Sequence, residues 1–171
     1  MKVVQFVPSL DSGGVEQGVI EIAKALVEDN HESHAVSSGG RLVDDLISSG
    51  SHHHKWDLGK KSLLNLRLIK PLRNWIVSTQ PDIIHVRSRM PAWLVWKALN
   101  GIPQSQRPQL VSTVHGLHSV NFYSRVMTKP HNIIAVSQSS KNYIIDNYTK
   151  SENKNIKLIY RGVDSSNYNK D

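Results

Sequence analysis

The sequence contains no cysteine, which excludes disulfides and thiolate metal sites and agrees with a cytosolic setting. No apolar run approaches the roughly eighteen residues that a membrane-crossing helix needs, so no spanning helix is expected. Lys2 leads straight into a short apolar run with no small-residue cleavage site behind it, so no secretory leader is expected either. A G-x-x-x-x-G-K-[ST] segment is lacking, which argues against a nucleoside triphosphatase, and glycines at 13, 14 and 18 do not make G-x-G-x-x-G. The second apolar run ends in Ser37-Ser38 rather than in the acidic residue a dinucleotide-binding unit would place there. Internal repeats, helix-turn-helix patterns and RNP signatures are also lacking, so nucleic acid is not an expected partner.

What is present is a regular alternation. The chain has 171 residues, 39% of them hydrophobic, enough for one domain with a full core. Val3 to Val7 reads as a buried strand, followed by a loop and a helix that Gly13-Gly14 opens and that carries Val15, Val19, Ile22, Ala23 and Leu26. Further strands are predicted at Ser33–Ser37, Ser51–Leu58, Ile83–Val86, Leu110–Val114, Ile133–Val136 and Ile156–Tyr160. Helices are predicted at Arg41–Ser48, after a Ser62 cap with a kink at Pro71, from Pro91 to Leu99, and from about Ser139 to Tyr148. This predicts an α/β, Rossmann-like domain: a mostly parallel sheet of about seven strands with helices on both faces.

Such sheets bind ligands in the loops after the carboxyl ends of their strands. Polar and glycine residues gather in those loops at Ser9–Gly14, Arg87–Met90, His115–Asn121 and Ser137–Ser140. Gly13-Gly14 lets a ligand approach a helix N-terminus, where free N–H groups favour anions; a tight turn is the plainer reading. His115 ends a buried strand and faces the expected crevice, although a core histidine is the default. Arg87, Ser88 and Arg89 stand in the same position on another strand, where two arginines could grip a phosphate or carboxylate, with a solvated basic loop as the equal alternative. His52-His53-His54 lacks a carboxylate or cysteine to complete a metal shell, so these histidines are expected to be solvent-exposed or to cover the sheet. Trp93 and Trp96 have core spacing, with a sugar- or base-stacking platform as the minor alternative.

The formal charge is +7, from 21 Lys and Arg against 14 Asp and Glu. That balance favours anionic partners, against the plain alternative of a basic domain with none. Lys60, Lys61, Arg67, Lys70 and Arg73 read first as a solvated helix face and second as a contact for anionic lipid headgroups.

The order of the pieces resembles the N-terminal domain of retaining glycosyltransferases of family 4, which have the GT-B fold. The resemblance rests on Ser12-Gly13-Gly14-Val15-Glu16, on Ser38-Gly39-Gly40-Arg41-Leu42 and on the run from Pro81 to Trp93, PDIIHVRSRMPAW. It continues in Thr113-Val114-His115-Gly116, Ile134-Ala135-Val136-Ser137 and Tyr160-Arg161-Gly162-Val163-Asp164. It runs through essentially the whole chain, and the blocks SGGRL, RSRMPAW and RGVD look most like the branch associated with lipopolysaccharide and cell-surface polysaccharide assembly.

The resemblance implies transfer of a sugar from a nucleotide-sugar to a glycan or glycolipid acceptor, with retention and without a metal or other cofactor. It places His115 against the transferred sugar as the catalytic residue. Donor and acceptor contacts are implied for Gly13, Gly14, Val15, Glu16, Arg87, Ser88, Arg89, Gly116, Ser137 and Arg161. Gly116-Leu117-His118 departs from the family pattern, which usually has an aromatic or small residue near His118. The family also carries a second, donor-binding domain with a two-glutamate motif, which residues 1–171 do not contain. On this reading the chain is a single acceptor-side domain, truncated and inactive by itself. It is expected in the cytoplasm, at most peripheral to the inner face of the membrane, and able to associate with a separate C-terminal domain or with itself. The alternatives are a non-catalytic module for an anionic acceptor or lipid, and one half of a split enzyme.

Overall fold

A computed structural model of the chain describes residues 1–59, 63–148 and 154–162. Seven strands form one sheet: β1 (Lys2–Phe6), β2 (Glu32–Ser37), β3 (His52–Lys55), β4 (Ile83–Val86), β5 (Gln109–Val114), β6 (Asn132–Ala135) and β7 (Asn155–Leu158). Every neighbouring pair is parallel, in the order β3-β2-β1-β4-β5-β6-β7. Val3, Val4, Phe6, Ile84 and Val86 are buried because a parallel sheet is covered on its faces and selects branched and aromatic side chains.

Five α-helices connect the strands: α1 (Gly14–Glu28), α2 (Val43–Ser48), α3 (Ile69–Thr79), α4 (Arg89–Leu99) and α5 (Gln138–Tyr148). Strand order runs outward in both directions from the β1–β4 pair. Right-handed crossovers therefore put α1 and α2 on one face and α3, α4 and α5 on the other. The larger core joins Val4, Phe6, Val36, Ile84, Val86 and Val114 to α3 and α4 through Leu72, Ile76, Leu94, Val95 and Ala98. The smaller one joins Val7 and Ala35 to Val19, Ala23 and Leu46 of α1 and α2. Beyond β4, no helix among the described residues covers the α1 face.

The elements differ from expectation by two residues or more in five places, the first being α2, which starts at Val43 instead of Arg41. The third strand stops at Lys55 instead of Leu58. The long helix expected after residue 62 is a 3-10 segment, Leu63–Leu68, and then α3. Pro71 does not kink it: the proline lies in the first turn of α3, where its missing N–H costs nothing, and it stops the α-helical ladder from extending upstream. Helix α4 starts at Arg89, two residues before Pro91, and β7 ends at Leu158, two residues before Tyr160. Ser62, Lys60, Lys61, Val163 and Asp164 lie outside the described residues.

The three histidines of β3 cover the sheet edge. His54 bonds His34 at 2.9 Å and packs edge-on against Trp75, while His53 bonds the Ser37 hydroxyl at 2.8 Å. No helix of the described residues is long and apolar enough to cross a membrane.

Candidate functional site

The chain reverses its direction of growth between β1 and β4, which leaves a crevice at the carboxyl ends of these two strands. Gly13 sits at its rim with φ of 142°, a conformation that side-chain-bearing residues rarely adopt. As N-cap of α1 it supplies no side-chain cap, so the first amides of a fifteen-residue helix stay open. The Glu16 side chain folds back over Gly13, and the Arg161 guanidinium lies against Gly14.

The second glycine pair has a different task. Leu10 N–H donates to Gly39 O at 2.8 Å and Leu42 N–H donates to Leu10 O at 2.7 Å. The Ser38 hydroxyl donates to Pro8 O at 2.8 Å, and Arg41 Nε donates to Asp11 O at 2.9 Å. Gly40, at φ of 139°, leaves no room for a Cβ against the Leu10 backbone. The SGGRL block therefore braces the loop that carries Gly13 and Gly14.

Arg87 follows β4 and turns inward. It is 6% exposed, and its Nη1 donates to Gln5 Oε1 at 2.8 Å and to Gly18 O at 3.0 Å. Its Nε is buried without a partner. A Cβ on Gly18 would stand 2.9 Å from Arg87 Nη2, so the glycine makes room for the guanidinium. Burial first, then the charge of Arg161, lowers Arg87 to about 10, which still leaves it charged at neutral pH. A buried cation held by neutral oxygens is costly and is a mark of a binding site.

His115 follows β5, and its Nε2 is also buried without a partner. Burial, then Arg87, Arg161 and His118, lowers it to about 4, so a neutral imidazole faces the crevice at pH 7. Below it, His85 Nε2 meets Thr113 Oγ1 at 2.7 Å. Burial, then Arg87 and His115, holds His85 at about 3.

These groups border a cavity of about 250 Å³ between α1 and the bare sheet face, lined by Gly18, Glu21, His85, Arg87, Thr113, His115, Tyr160 and Arg161 with apolar Ile134, Val136 and Ile159. Arg161 approaches Glu21 at 3.9 Å on its rim. A smaller hollow of about 170 Å³ adjoins it, lined by Val15, Glu16, Ser88, Arg89 and His118. Arg87 and His115 border both. A larger hollow, about 340 Å³, opens at the opposite end of the sheet around Asp82 and Arg107. Its charged groups are already engaged: Asp82 accepts from Lys2 N at 2.6 Å and Arg107 Nε donates to Ile102 O at 2.8 Å.

Not every expected site residue points into the crevice. Arg89 does not join Arg87 in a two-arginine clamp: its guanidinium donates to Ser124 Oγ at 3.2 Å and lies over the Tyr123 ring. Ser137 accepts from the Ser140 amide at 3.0 Å, which makes it a cap for α5. A Cβ on Gly116 would meet nothing, so that position is open to solvent or ligand. Gln5, Gly18, Glu21, His85, Thr113 and Tyr160 were not expected at the site. Gln5, His85 and Thr113 did leave a trace in the sequence, as polar residues inside otherwise apolar strands.

Residues 12–167 match the family model Glycosyltransferase Family 4. The chain belongs to that family. A glycosyltransferase from Rickettsia africae has the same fold over 96% of this chain, with a TM-score of 0.80 and 31% identity. Anabaena HepE, solved with UDP and glucose, superposes with a TM-score of 0.72 over 97% of the chain at 21% identity. The lipopolysaccharide outer core galactosyltransferase WaaB gives 0.70 over 95% at 15% identity. The sheet matches the N-terminal half of this GT-B fold, and the chain spans 44%, 46% and 46% of those three chains. A search of curated proteins returns no match.

Proposed function

We propose that this chain forms the acceptor-side wall of a transferase that moves a sugar from a nucleotide-sugar to a glycan or glycolipid acceptor, with retention of configuration. The observation that carries this reading is the convergence of two buried, unpartnered polar atoms, Arg87 Nε and His115 Nε2, on one crevice in a family 4 chain. The HepE structure, which holds UDP and glucose, supports a nucleotide-sugar as donor. The sequence blocks SGGRL, RSRMPAW and RGVD favour a surface-polysaccharide or lipopolysaccharide acceptor.

The chemistry follows from the charges. As the glycosidic bond to the nucleotide breaks, negative charge grows on the diphosphate and positive charge on the sugar. Arg87, Arg161 and the open amides of α1 are preorganised for the former. His115, neutral at pH 7, contacts the sugar through Nε2 without setting a cation against the forming positive centre. No metal ion is needed in this scheme, because the guanidinium groups supply the positive charge. The crevice is open on one side, so an opposing donor-binding wall completes it and excludes water.

The test is a transfer assay of the full-length protein with a panel of UDP-, GDP- and ADP-linked sugars and a lipopolysaccharide-core or lipid-linked acceptor. The anomeric configuration of the product is read by NMR. Transfer with retention, reduced at least about a hundredfold in His115→Ala, is the expected result. Binding of acceptor without turnover of any donor would leave only a binding module.

A further inference from the structure

The buried run Val3–Val7 carries one polar side chain, Gln5, and that side chain is fully buried. Successive strand residues face opposite sides of the sheet. Val4 and Phe6 join the larger core and Val7 the smaller one beside α1, so Gln5 faces α1 as well. An amide in that place gains nothing over an apolar side chain of similar size unless its hydrogen bonds are made.

Both ends of the amide are engaged. Its Nε2 donates to Val19 O of α1 at 3.0 Å, and its Oε1 accepts from Arg87 Nη1 at 2.8 Å. A carbonyl only accepts and a guanidinium only donates, so the amide cannot turn over without losing both bonds. The same arginine nitrogen donates to Gly18 O at 3.0 Å. Gln5 and α1 thus hold Nη1 at two points, while Arg87 borders both hollows of the crevice. Gly18 completes the cradle by what it lacks. An added Cβ there would stand 2.9 Å from Arg87 Nη2 but 3.7 Å from Arg161 Nη2, so Arg87 is the group that would have to move. The cradle is also neutral: a carboxylate at position 5 would hold the guanidinium but cancel its charge toward a ligand.

We propose that Gln5 is a positioning residue for transfer, fixing the Arg87 guanidinium at the crevice without neutralising it. Without the amide, the long arginine side chain regains rotamer freedom and its preorganisation is lost in part. This use of Gln5 rests on the transfer reading above. The hold on Arg87 is read without any transfer.

The experiment is a double-mutant cycle on kcat/KM for transfer in the full-length protein, with Gln5→Met and Arg87→Met, beside arginine side-chain NMR of the same variants. Gln5→Met keeps the size of the side chain and removes both bonds. It is expected to lower kcat/KM about tenfold in the wild-type background and about twofold or less once Arg87 is replaced. Damage to the core alone would cost the same in both backgrounds. The Arg87 Nε–H signal, identified by its loss in Arg87→Met, is expected to broaden or shift in Gln5→Met. Gln5→Glu is expected to keep that signal sharp and still lose transfer about tenfold or more. Gly18→Ala tests the same placement from the helix side. It is expected to lower kcat/KM about tenfold with an unfolding midpoint at or above wild type, because Ala is the better helix former. Wild-type kcat/KM in Gln5→Met, additive losses in the cycle, or an Arg87 signal indifferent to Gln5→Met would overturn the proposal. Absence of transfer in the wild type would defeat the transfer reading and with it this use of Gln5, whereas the NMR signal would still report whether the amide holds Arg87.

Discussion

The two ends of the sheet treat charge differently. At the amino end, the Lys2 amide donates to Asp82, its ammonium donates to Thr79 O at 2.9 Å, and the same ammonium pairs with Glu32 at 3.3 Å. Each charge there meets a partner near solvent. At the carboxyl end, Arg87 is buried against neutral oxygens, and one nitrogen each of Arg87 and His115 has no partner. The larger hollow lies at the amino end, whereas the transfer site proposed above lies at the carboxyl end. That proposal follows the unpaired, desolvated polar groups rather than concavity.

Acidification should expose the contrast most strongly. Unfolded, His85 and His115 take up protons as the pH falls below the ordinary histidine value of 6.5. Folded, they resist until about 3 and about 4. Their contribution to stability is thus present above 6.5 and lost as the pH falls toward those values, with about 2 kcal/mol at stake for each by pH 5. His34, His53 and His54, lowered mainly by burial, act in the same sense. Urea unfolding at pH 7 and pH 5 should show a loss of about 3 kcal/mol or more. His85→Gln, which keeps a partner for Thr113, should show a visibly smaller loss; equal losses would mean that the burial of His85 is not what costs stability.

Next in size is the brace between the two glycine loops. Gly40→Ala adds a Cβ at positive φ, against the Leu10 backbone, and should cost about 3 kcal/mol. Gly116→Ala, whose Cβ meets nothing, should stay within about 0.5 kcal/mol of wild type. Chemical denaturation of the two variants checks both. Asp82→Ala removes a charge-assisted bond at the exposed end and should cost about 1 kcal/mol. The smallest expected change is in Arg87→Met, whose stability should match wild type or exceed it by about 1 kcal/mol, because a poorly paired buried cation is replaced by an apolar chain. A large loss of stability in Arg87→Met would make that residue a structural strut.

Local signals revealed most of this fold. Short branched runs such as Val3–Val7 and Ile83–Val86, separated by helical spacing, are enough for the seven strands, and His115 stood out as a polar residue ending an apolar run. The pairing was not local. Gln5, Gly18 and Arg87 meet only because β1 lies beside β4, some eighty residues later in the chain. The bracing role of Gly39-Gly40 depends on contacts with Pro8 to Asp11 that no short window contains. Arg89 resembled Arg87 in sequence but turns to Ser124, because the backbone changes from strand to helix between them and Arg89 is already the first residue of α4.

The most direct test compares the two ends by kcat/KM for transfer, in the full-length protein, with Arg87→Met and Asp82→Ala assayed beside wild type. Arg87→Met should lose at least about a hundredfold while remaining folded, and Asp82→Ala should stay within about twofold. Wild-type kcat/KM in Arg87→Met would contradict a transfer site at the carboxyl end of the sheet.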